Sequence, residues 1–600
     1  MEIKKYAILI VSILSIAALV CLGAWNIGWL GSHGLASQAA DTISLHTRNM
    51  AKDSILNPKP KVKKTKLNIT KQPAQMSFRK INGVVRDTSG AVMKGVVISD
   101  SYSCTQTDSQ GYYQLNANPQ ARFVYYTVPA DCEVPTHSPT DNTANFYLPL
   151  SANRTRYDFV LRRLPHGKEH DYRMIVFGDP QVTNSFSPYY IDNSDNSLEK
   201  SDVARFTDET MSDVKRGLEL WPSSLPVYGL SMGDDVQYYG GYNPSLELQI
   251  RQVLGSSRMR VFSVIGNHDQ DGKAIYQRKW EDVWGPTDYS FDRGDEHYVC
   301  FNNVKFVKGK GYYQPGELAK SQLRWLEADL ELVPRHKKVI LCYHIPFTMG
   351  TSPSSHAVPL ALSSEKGHYH STCLTSILRL LKAFRGGYEL FCGHTHFAIN
   401  HEIDTQEGRV LEHCHAAACG AIWQANINIC GTPNGYYVYH FSGTGITDAW
   451  YKGTNWARNQ QMSIFYAGTD FNGESYSADW HLPAGDSCVV ANVFNADSRW
   501  HVVAIENGVE TPMSRLSGKG QDAFATGYLH KYSKSISYHF VSKSNNYLLM
   551  NHLYVYEPKT LGSQVMIRAT DPYGNVYTGS VKDAVRDPFS NYAHFYNKIE

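Results

Sequence analysis

Val261-Phe262-Ser263-Val264-Ile265-Gly266-Asn267-His268-Asp269 joins a short apolar run to a glycine and then to three side chains able to bind a metal or handle a proton. A run of four to eight such residues ending in a turn signal is the pattern of a buried strand. The glycine lets the backbone turn closely where the strand stops. Four other stretches repeat the arrangement. Met174-Ile175-Val176-Phe177-Gly178 leads to Asp179 and Gln181, Val227 to Met232 leads to Gly233-Asp234, Lys338 to Tyr343 leads to His344, and Glu389 to Cys392 leads to Gly393-His394-Thr395-His396.

Taken singly, a Gly-Asp pair is usually a turn, and a histidine at a strand end is usually a satisfied polar group. The weight lies in five such junctions in one order. Strand ends in open sheets converge on one edge, so residues distant in sequence surround one site. Seven donors then share a pocket: Asp179, Gln181, Asp234, Asn267, His344, His394 and His396. Oxygen and imidazole donors without thiolate suit Mn, Fe, Zn or similar ions. Helical periodicity lies between the strands. Leu374, Ile377, Leu378 and Leu381 follow i, i+3, i+4, i+7, with Gly386 placed to end that helix, and Leu323, Leu326 and Leu330 mark another that stops near Pro334. The span from about Asp171 to Gly431 therefore reads as an α/β or α+β layered domain.

Asp-Pro-Gln at 179–181, Gly-Asp at 233–234, Gly-Asn-His-Asp at 266–269, Tyr-His-Ile-Pro at 343–346 and Gly-His-Thr-His at 393–396 together resemble the calcineurin-like metallophosphoesterases. The resemblance implies a central four-layer α/β sandwich and a pair of divalent ions, with Mn, Fe, Zn and Mg all open. Asp179, Gln181 and His396 would bind one ion, Asn267, His344 and His394 the other, and Asp234 would bridge them. A bridging carboxylate offsets the repulsion of two cations about 3.5–4 Å apart, and the ions lower the pKa of a shared water so that hydroxide attacks the phosphate ester. His268 would donate a proton to the leaving oxygen, and Asp269 would orient its neighbours. Two positions depart from the commoner pattern. Gln181 stands where histidine is usual, a weaker donor that makes the first ion more exchangeable. Gln237 stands three residues after Asp234, where purple acid phosphatases carry tyrosine, which argues against a charge-transfer iron site.

Working outward, Ile81-Asn82-Gly83-Val84-Val85, Gly95-Val96-Val97-Ile98 and Gly111-Tyr112-Tyr113-Gln114-Leu115 alternate between turn phrases at 87–90 and 107–111, the punctuation of a small β-sandwich. It resembles the carboxypeptidase-regulatory-like and metallophosphoesterase N-terminal modules. Beyond Gly435, runs such as Val489-Val490-Ala491-Asn492-Val493 and Leu553-Tyr554-Val555-Tyr556 predict a second β-rich domain. The expected organisation is 1–30 signal peptide or membrane anchor, 31–78 linker, 79–164 N-terminal β-sandwich, 165–434 catalytic domain and 435–600 C-terminal β-rich domain. Lys4 and Lys5 before the apolar run Tyr6 to Leu22 have the order of an export signal. The apolar character continues through Leu30, which leaves cleavage and retention as an anchor both open. Cys21 follows Val20 rather than the small residue a lipoprotein site carries. The expected location is extracytoplasmic, periplasmic or at the cell surface, with membrane association through the N-terminus.

Lys+Arg at 58 against Asp+Glu at 56, with no long basic stripe, gives no sign of a nucleic-acid surface and leaves a small phosphorylated substrate as the expected partner. Eleven cysteines spread over 600 residues do not form a disulfide scaffold, although Cys104 and Cys132 lie close enough in sequence to pair in an oxidising compartment. His356, His368 and His370 fall in a long segment that could form a rim. His413 and His415 could support the metals from behind or pack in the core. Trp423, Tyr189 and Tyr242 could stack on a base or sugar, although aromatic residues more often pack. The reading is an exported metal-dependent phosphoesterase. The alternatives are a phosphodiesterase or pyrophosphohydrolase of nucleotides or lipid head groups, and a non-catalytic surface binding protein. The presence of His268 beside the ligands counts against the last, since a scaffold has no need of a leaving-group acid.

Overall fold

The computed structural model describes residues 79–581 apart from internal segments, the longest being 183–200, 350–368 and 526–550. The expected signal or anchor and the linker lie outside the described residues, as do Tyr189, Tyr242, His356 and His368. Among the described residues, no helix is long and apolar enough to cross a membrane.

All five predicted strands form. Asp171–Phe177, Val227–Ser231 and Arg260–Ser263 run parallel side by side in a seven-stranded sheet. Lys338–Cys342 and Tyr388–Cys392 run parallel in a separate six-stranded sheet. The edge expected from one open sheet is thus the shared edge of two. Strand residues alternate between faces, and here both faces are covered. Met174 and Val176 point into the core shared with Tyr298, Ile340 and Leu341 of the second sheet. Ile175 and Phe177 point the other way, onto Val214, Leu246, Ile250 and Trp280 of the helices Ser212–Leu220, Pro244–Leu254 and Ala274–Trp284. Helices Lys320–Glu331 and Leu374–Leu381 cover the second sheet with Trp325, Leu326, Leu374 and Ile377. Helix, sheet, sheet, helix makes four layers, and burial on both faces explains why these strands read as continuous apolar runs. The helix Leu374–Leu381 stops before Gly386. Gly386 serves a close approach instead, because a Cβ there would lie 2.5 Å from the Lys337 carbonyl carbon.

The seven-stranded sheet recruits strands from both flanking segments. Thr143 of Asp141–Ala144 pairs in parallel with Val261, and Gly435–Ser442 pairs antiparallel with Asp171–Phe177. Ahead of it, a three-stranded sheet built on Arg79–Asp87 and a four-stranded sheet containing Phe123–Tyr126 share one core through Ile81, Val85, Ile98 and Val124. The two turn phrases close as read, Asp87 accepting from the backbone of Ser89 and Ala91, and Asp108 from that of Gln110 and Tyr112. C-terminally, two four-stranded sheets enclose Ile464, Ala491, Val502, Tyr554 and Ile567. Cys104 and Cys132 are both free thiols. Cys104 packs toward Asp329 and Trp325, whereas Cys132 faces Asp131, so the two sit in different surroundings.

Candidate metal centre

Three of the five junctions deliver their side chains through a backbone that ordinary residues avoid. Asp179, Gln181, Asp234, His394 and His396 have φ of 32°, 40°, 51°, 74° and 59°. Non-glycine residues in this left-handed region each cost on the order of 1–3 kcal/mol, a cost sustained where surrounding structure fixes the conformation, and such residues cluster at functional sites. Gly266 is required by the crowding, since a Cβ there would fall 2.1 Å from Asp234 Oδ1.

The side chains meet at the common edge of the two sheets. Asp234 Oδ2 lies 3.0 Å from His344 Nε2, and Asn267 Oδ1 lies 3.0 Å from the same nitrogen. The other nitrogen of His344 faces the Met232 carbonyl at 2.8 Å. With that nitrogen donating, Nε2 faces the Asp234 and Asn267 oxygens; burial lowers the pKa of the ring, but Asp234 and Asp179 outweigh it and raise it to about 9, so an ion bound here would displace the Nε2 proton. Asp234, His344 and His394 offer ligand atoms all within 4.8 Å of one another, the one such triad among the described residues. Asp179 carries Oδ1 3.6 Å from His396 Nε2 and 4.0 Å from His344 Nε2, while its other oxygen accepts the His394 backbone N–H at 2.9 Å. Gln181 donates its amide to Gln237 Oε1, and its own carbonyl oxygen is buried with no hydrogen bond among the described residues; Asp234 Oδ2 likewise makes none of acceptable geometry among them.

Those unsatisfied acceptors are the test of fit. Buried polar atoms normally find partners, and exceptions call for an explanation. Acceptors converging from acids, amides and neutral imidazoles are what a cation relieves, and oxygen–nitrogen shells of this kind suit Mn, Fe, Zn or Mg. Burial, reinforced by Asp234 and opposed by His344, pushes Asp179 up to about 8, and burial holds His396 down to about 3. Neutral imidazole is the form that ligates a metal.

Other residues hold this arrangement in place. Asp269 accepts the backbone N–H of Asp234, Val236 and Gly266 through its two oxygens, fixing two ligand-bearing turns against each other. His268 donates its backbone N–H to Asp234 Oδ1 at 2.7 Å, and its half-buried ring is near enough to lower the Asp234 pKa. Glu412 accepts from the Phe347 and Thr348 backbone, and Asn303 brackets Ile345 from both sides, so the turn after His344 is gripped twice. His415 bonds the Cys392 carbonyl and the Tyr439 hydroxyl, behind the 393–396 turn, whereas His413 bonds Asn400 and Glu389. Trp423 is fully buried against Phe206 and so is not a stacking surface for a base or sugar. The side chain of His370 lies outside the described residues. Asn303 and Glu412 carried no sequence signal, being residues whose partners are 42 and about 65 positions away.

Family models agree with this geometry over most of the chain. The calcineurin-like phosphoesterase model matches residues 156–398, the model for the N terminal of calcineurin-like phosphoesterase matches 79–164, and that for the C terminal matches 412–577. The chain belongs to the calcineurin-like phosphoesterases. This is a family of hydrolases that act on phosphate esters through divalent metal ions. No curated protein matches the chain. Among solved structures it is similar to the purple acid phosphatase PPD1 from yellow lupin (Lupinus luteus) seeds, at 12% identity and a TM-score of 0.28 over 58% of each chain. It is also similar to the sulfate thiohydrolase SoxB of Termus thermophilus, at 12% identity and a TM-score of 0.27 over 48% of this chain and 57% of that one. The chain thus spans somewhat over half the length of these structures, and the family assignment rests on the three matched models.

Proposed function

We propose that this calcineurin-like phosphoesterase is an exported hydrolase of a small phosphorylated substrate that works with two divalent ions. Asp179, Gln181 and His396 would hold one ion, Asn267, His344 and His394 the other, with Asp234 between them. The observation that carries the proposal is the convergence of Asp234 Oδ2, Asn267 Oδ1 and His344 Nε2 within 3.0 Å contacts, together with a buried Gln181 oxygen that has no hydrogen-bond partner among the described residues.

Two ions at this site would supply positive charge to the phosphate and acidify water near neutral pH. The chain's own contribution is arrangement. Asp269 keeps the 233–236 and 266–267 turns in register, and Gln237 fixes the Gln181 amide by accepting from its nitrogen, leaving the amide oxygen for an ion. His268, at the half-buried rim of the centre, would protonate the leaving oxygen as the ester bond breaks. A monoester is the first expectation for the substrate, ahead of nucleotide or lipid head-group diesters and pyrophosphates. Export follows from Lys4 and Lys5 ahead of the apolar run.

Chelation should abolish hydrolysis of an aryl phosphate ester by the purified protein, and added Mn, Zn, Fe or Mg should restore it. Persistent activity with metal content verified as nil would sink the proposal. A panel of mono- and diesters, nucleotides and phospholipid head groups would define the substrate. A reporter joined after residue 78 should be active only outside the cytoplasm.

A further inference from the structure

One turn grips the backbone that carries Asp179 and Gln181 and also touches the side chain of His396, the three residues assigned to the first ion. In the segment 417–423, Ala418 N–H donates to the Gly178 carbonyl and Cys419 N–H to the Asp179 carbonyl. The Trp423 indole N–H donates to the Pro180 carbonyl at 2.8 Å. Pro180 sits between Asp179 and Gln181, the two residues at φ of 32° and 40°, so the indole grips the peptide whose conformation aims both side chains. The same turn reaches His396, whose Nδ1 lies 3.9 Å from Cys419 Sγ, and which also bonds the Gly420 backbone.

The turn is itself in an unfavourable conformation. Ile422 and Trp423 have φ of 48° and 59°, and a β-branched residue in that region is a true outlier. What holds it is Arg205, a fully buried cation from the helix Asp202–Arg205. Its guanidinium donates to the Trp423 carbonyl and to Asn426 Oδ1 at 2.8 Å, pairs with Glu209 at 2.9 Å, and lies 5.1 Å from the indole centroid. Asn267 and His344 are held by other devices, Asp269 and the Met232 carbonyl.

We propose that Trp423 and Arg205 are positioning residues that set the affinity of the Asp179–Gln181–His396 ion separately from its neighbour. The inference rests on the two-ion reading above. It matters most for that ion because a neutral amide oxygen is a weak ligand. A weak donor binds well only when it is aimed, and outer partners of metal ligands are typically worth 10–100-fold in metal affinity.

Trp423→Phe keeps an aromatic ring in the core and removes the donor to Pro180. Arg205→Lys keeps the charge and removes the guanidinium fork. Metal-free protein would be titrated with Mn or Zn alone by calorimetry, with stoichiometry checked by elemental analysis, beside Gln181→Ala and His344→Ala as markers of each site. Wild type should bind two ions. Both test variants should weaken one of them by roughly 10–100-fold, the same one that Gln181→Ala weakens, and leave the other unchanged. Activity should return at excess metal with kcat near wild type. Circular dichroism and melting of the metal-free variants report folding, and Arg205→Lys serves if Trp423→Phe does not fold. Equal weakening of both ions, no weakening, or variants that both fail to fold would overturn the positioning role. Fewer than two ions on wild type would instead overturn the two-ion reading.

Discussion

Asp179, Asp234 and His344 form one buried set of acids and imidazole; buried His297 and Asp329 with half-buried Asp292 form another in the same domain. In the second set, His297 Nδ1 meets Asp292 at 2.7 Å and Nε2 meets Asp329 at 2.8 Å. Lys337 takes the other oxygen of Asp292 at 2.7 Å, and the Ser290 hydroxyl takes that of Asp329 at 2.8 Å. Each ring nitrogen and carboxyl oxygen is therefore paired, and the groups sit on regular strands and a helix, Asp292 opposite His297 in the ladder. In the first set the acceptors converge, and both acids, Asp179 and Asp234, leave strand ends through left-handed backbone. Residue type does not distinguish a metal centre from an internal ionic network. Convergence of unsatisfied acceptors does, together with the backbone strain needed to create it.

The sharpest way to break that contrast is to delete one carboxylate from each set. Asp234→Ala removes the group proposed to lie between two ions, so metal content and activity should both collapse, activity by roughly the 10²–10³-fold typical of losing a major catalytic contribution. Asp329→Asn should leave metal stoichiometry and kcat near wild type. It should cost about 3–5 kcal/mol of stability, the usual consequence of breaking a buried pair. Elemental analysis, kcat and chemical denaturation on both variants decide the matter. Metal loss from Asp329→Asn, or its retention by Asp234→Ala, would erase the distinction.

His268 sharpens the comparison within the first set, because it belongs to the site without being assigned as a ligand. His268→Ala should keep metal stoichiometry while kcat falls by roughly 10²–10⁴, the range for general acid catalysis. The deficit should shrink on aryl esters, whose leaving groups need little protonation, and persist on alkyl esters. An equal deficit on both esters, or metal loss, would remove His268 from the leaving-group role.

The first set was legible in the sequence because its signal is local. Each donor follows its own strand by one or a few residues, so Val261 to Asp269 can be read without knowing where the other strands lie. The arrangement of those strands in two sheets was not legible, since apolar runs buried on both faces look alike whichever sheet they join. Neither was the recruitment of Asp141–Ala144 and Gly435–Ser442 into the seven-stranded sheet, because those segments carry the short-strand punctuation of their flanking regions. Trp423 was noticed only as an aromatic residue. Its partner Pro180 is 243 positions away and Arg205 is 218 away, and no window of sequence contains such a contact. The Asp292–His297–Asp329 network was invisible for the same reason, although Asp292 and His297 are only five residues apart. Recognising that pair required the hairpin register that places them opposite each other.

The smallest expected effect concerns the second set and follows from its charge state. Burial alone would depress the His297 pKa, but Asp329 and Asp292 on its two nitrogens outweigh it and raise the group to about 9 from 6.5. A group whose pKa is raised on folding binds protons more tightly in the native state. Its contribution is complete below about pH 6.5 and disappears as pH rises through about 9. At 1.36 kcal/mol per unit the full contribution is on the order of 3–4 kcal/mol. Asp292 behaves in the opposite sense, being held low by Lys337 and His297 against its burial, so its contribution is lost only under acid conditions and does not enter this window. Denaturant unfolding of metal-free protein from pH 6 to 10 should therefore show stability declining between about 6.5 and 9. His297→Gln, which cannot titrate, should be less stable than wild type at pH 6 by on the order of 3–4 kcal/mol, with the gap narrowing as pH approaches 10. A gap that stays constant across the range would mean that His297 is neutral in the fold, bonded to its two acids without carrying charge.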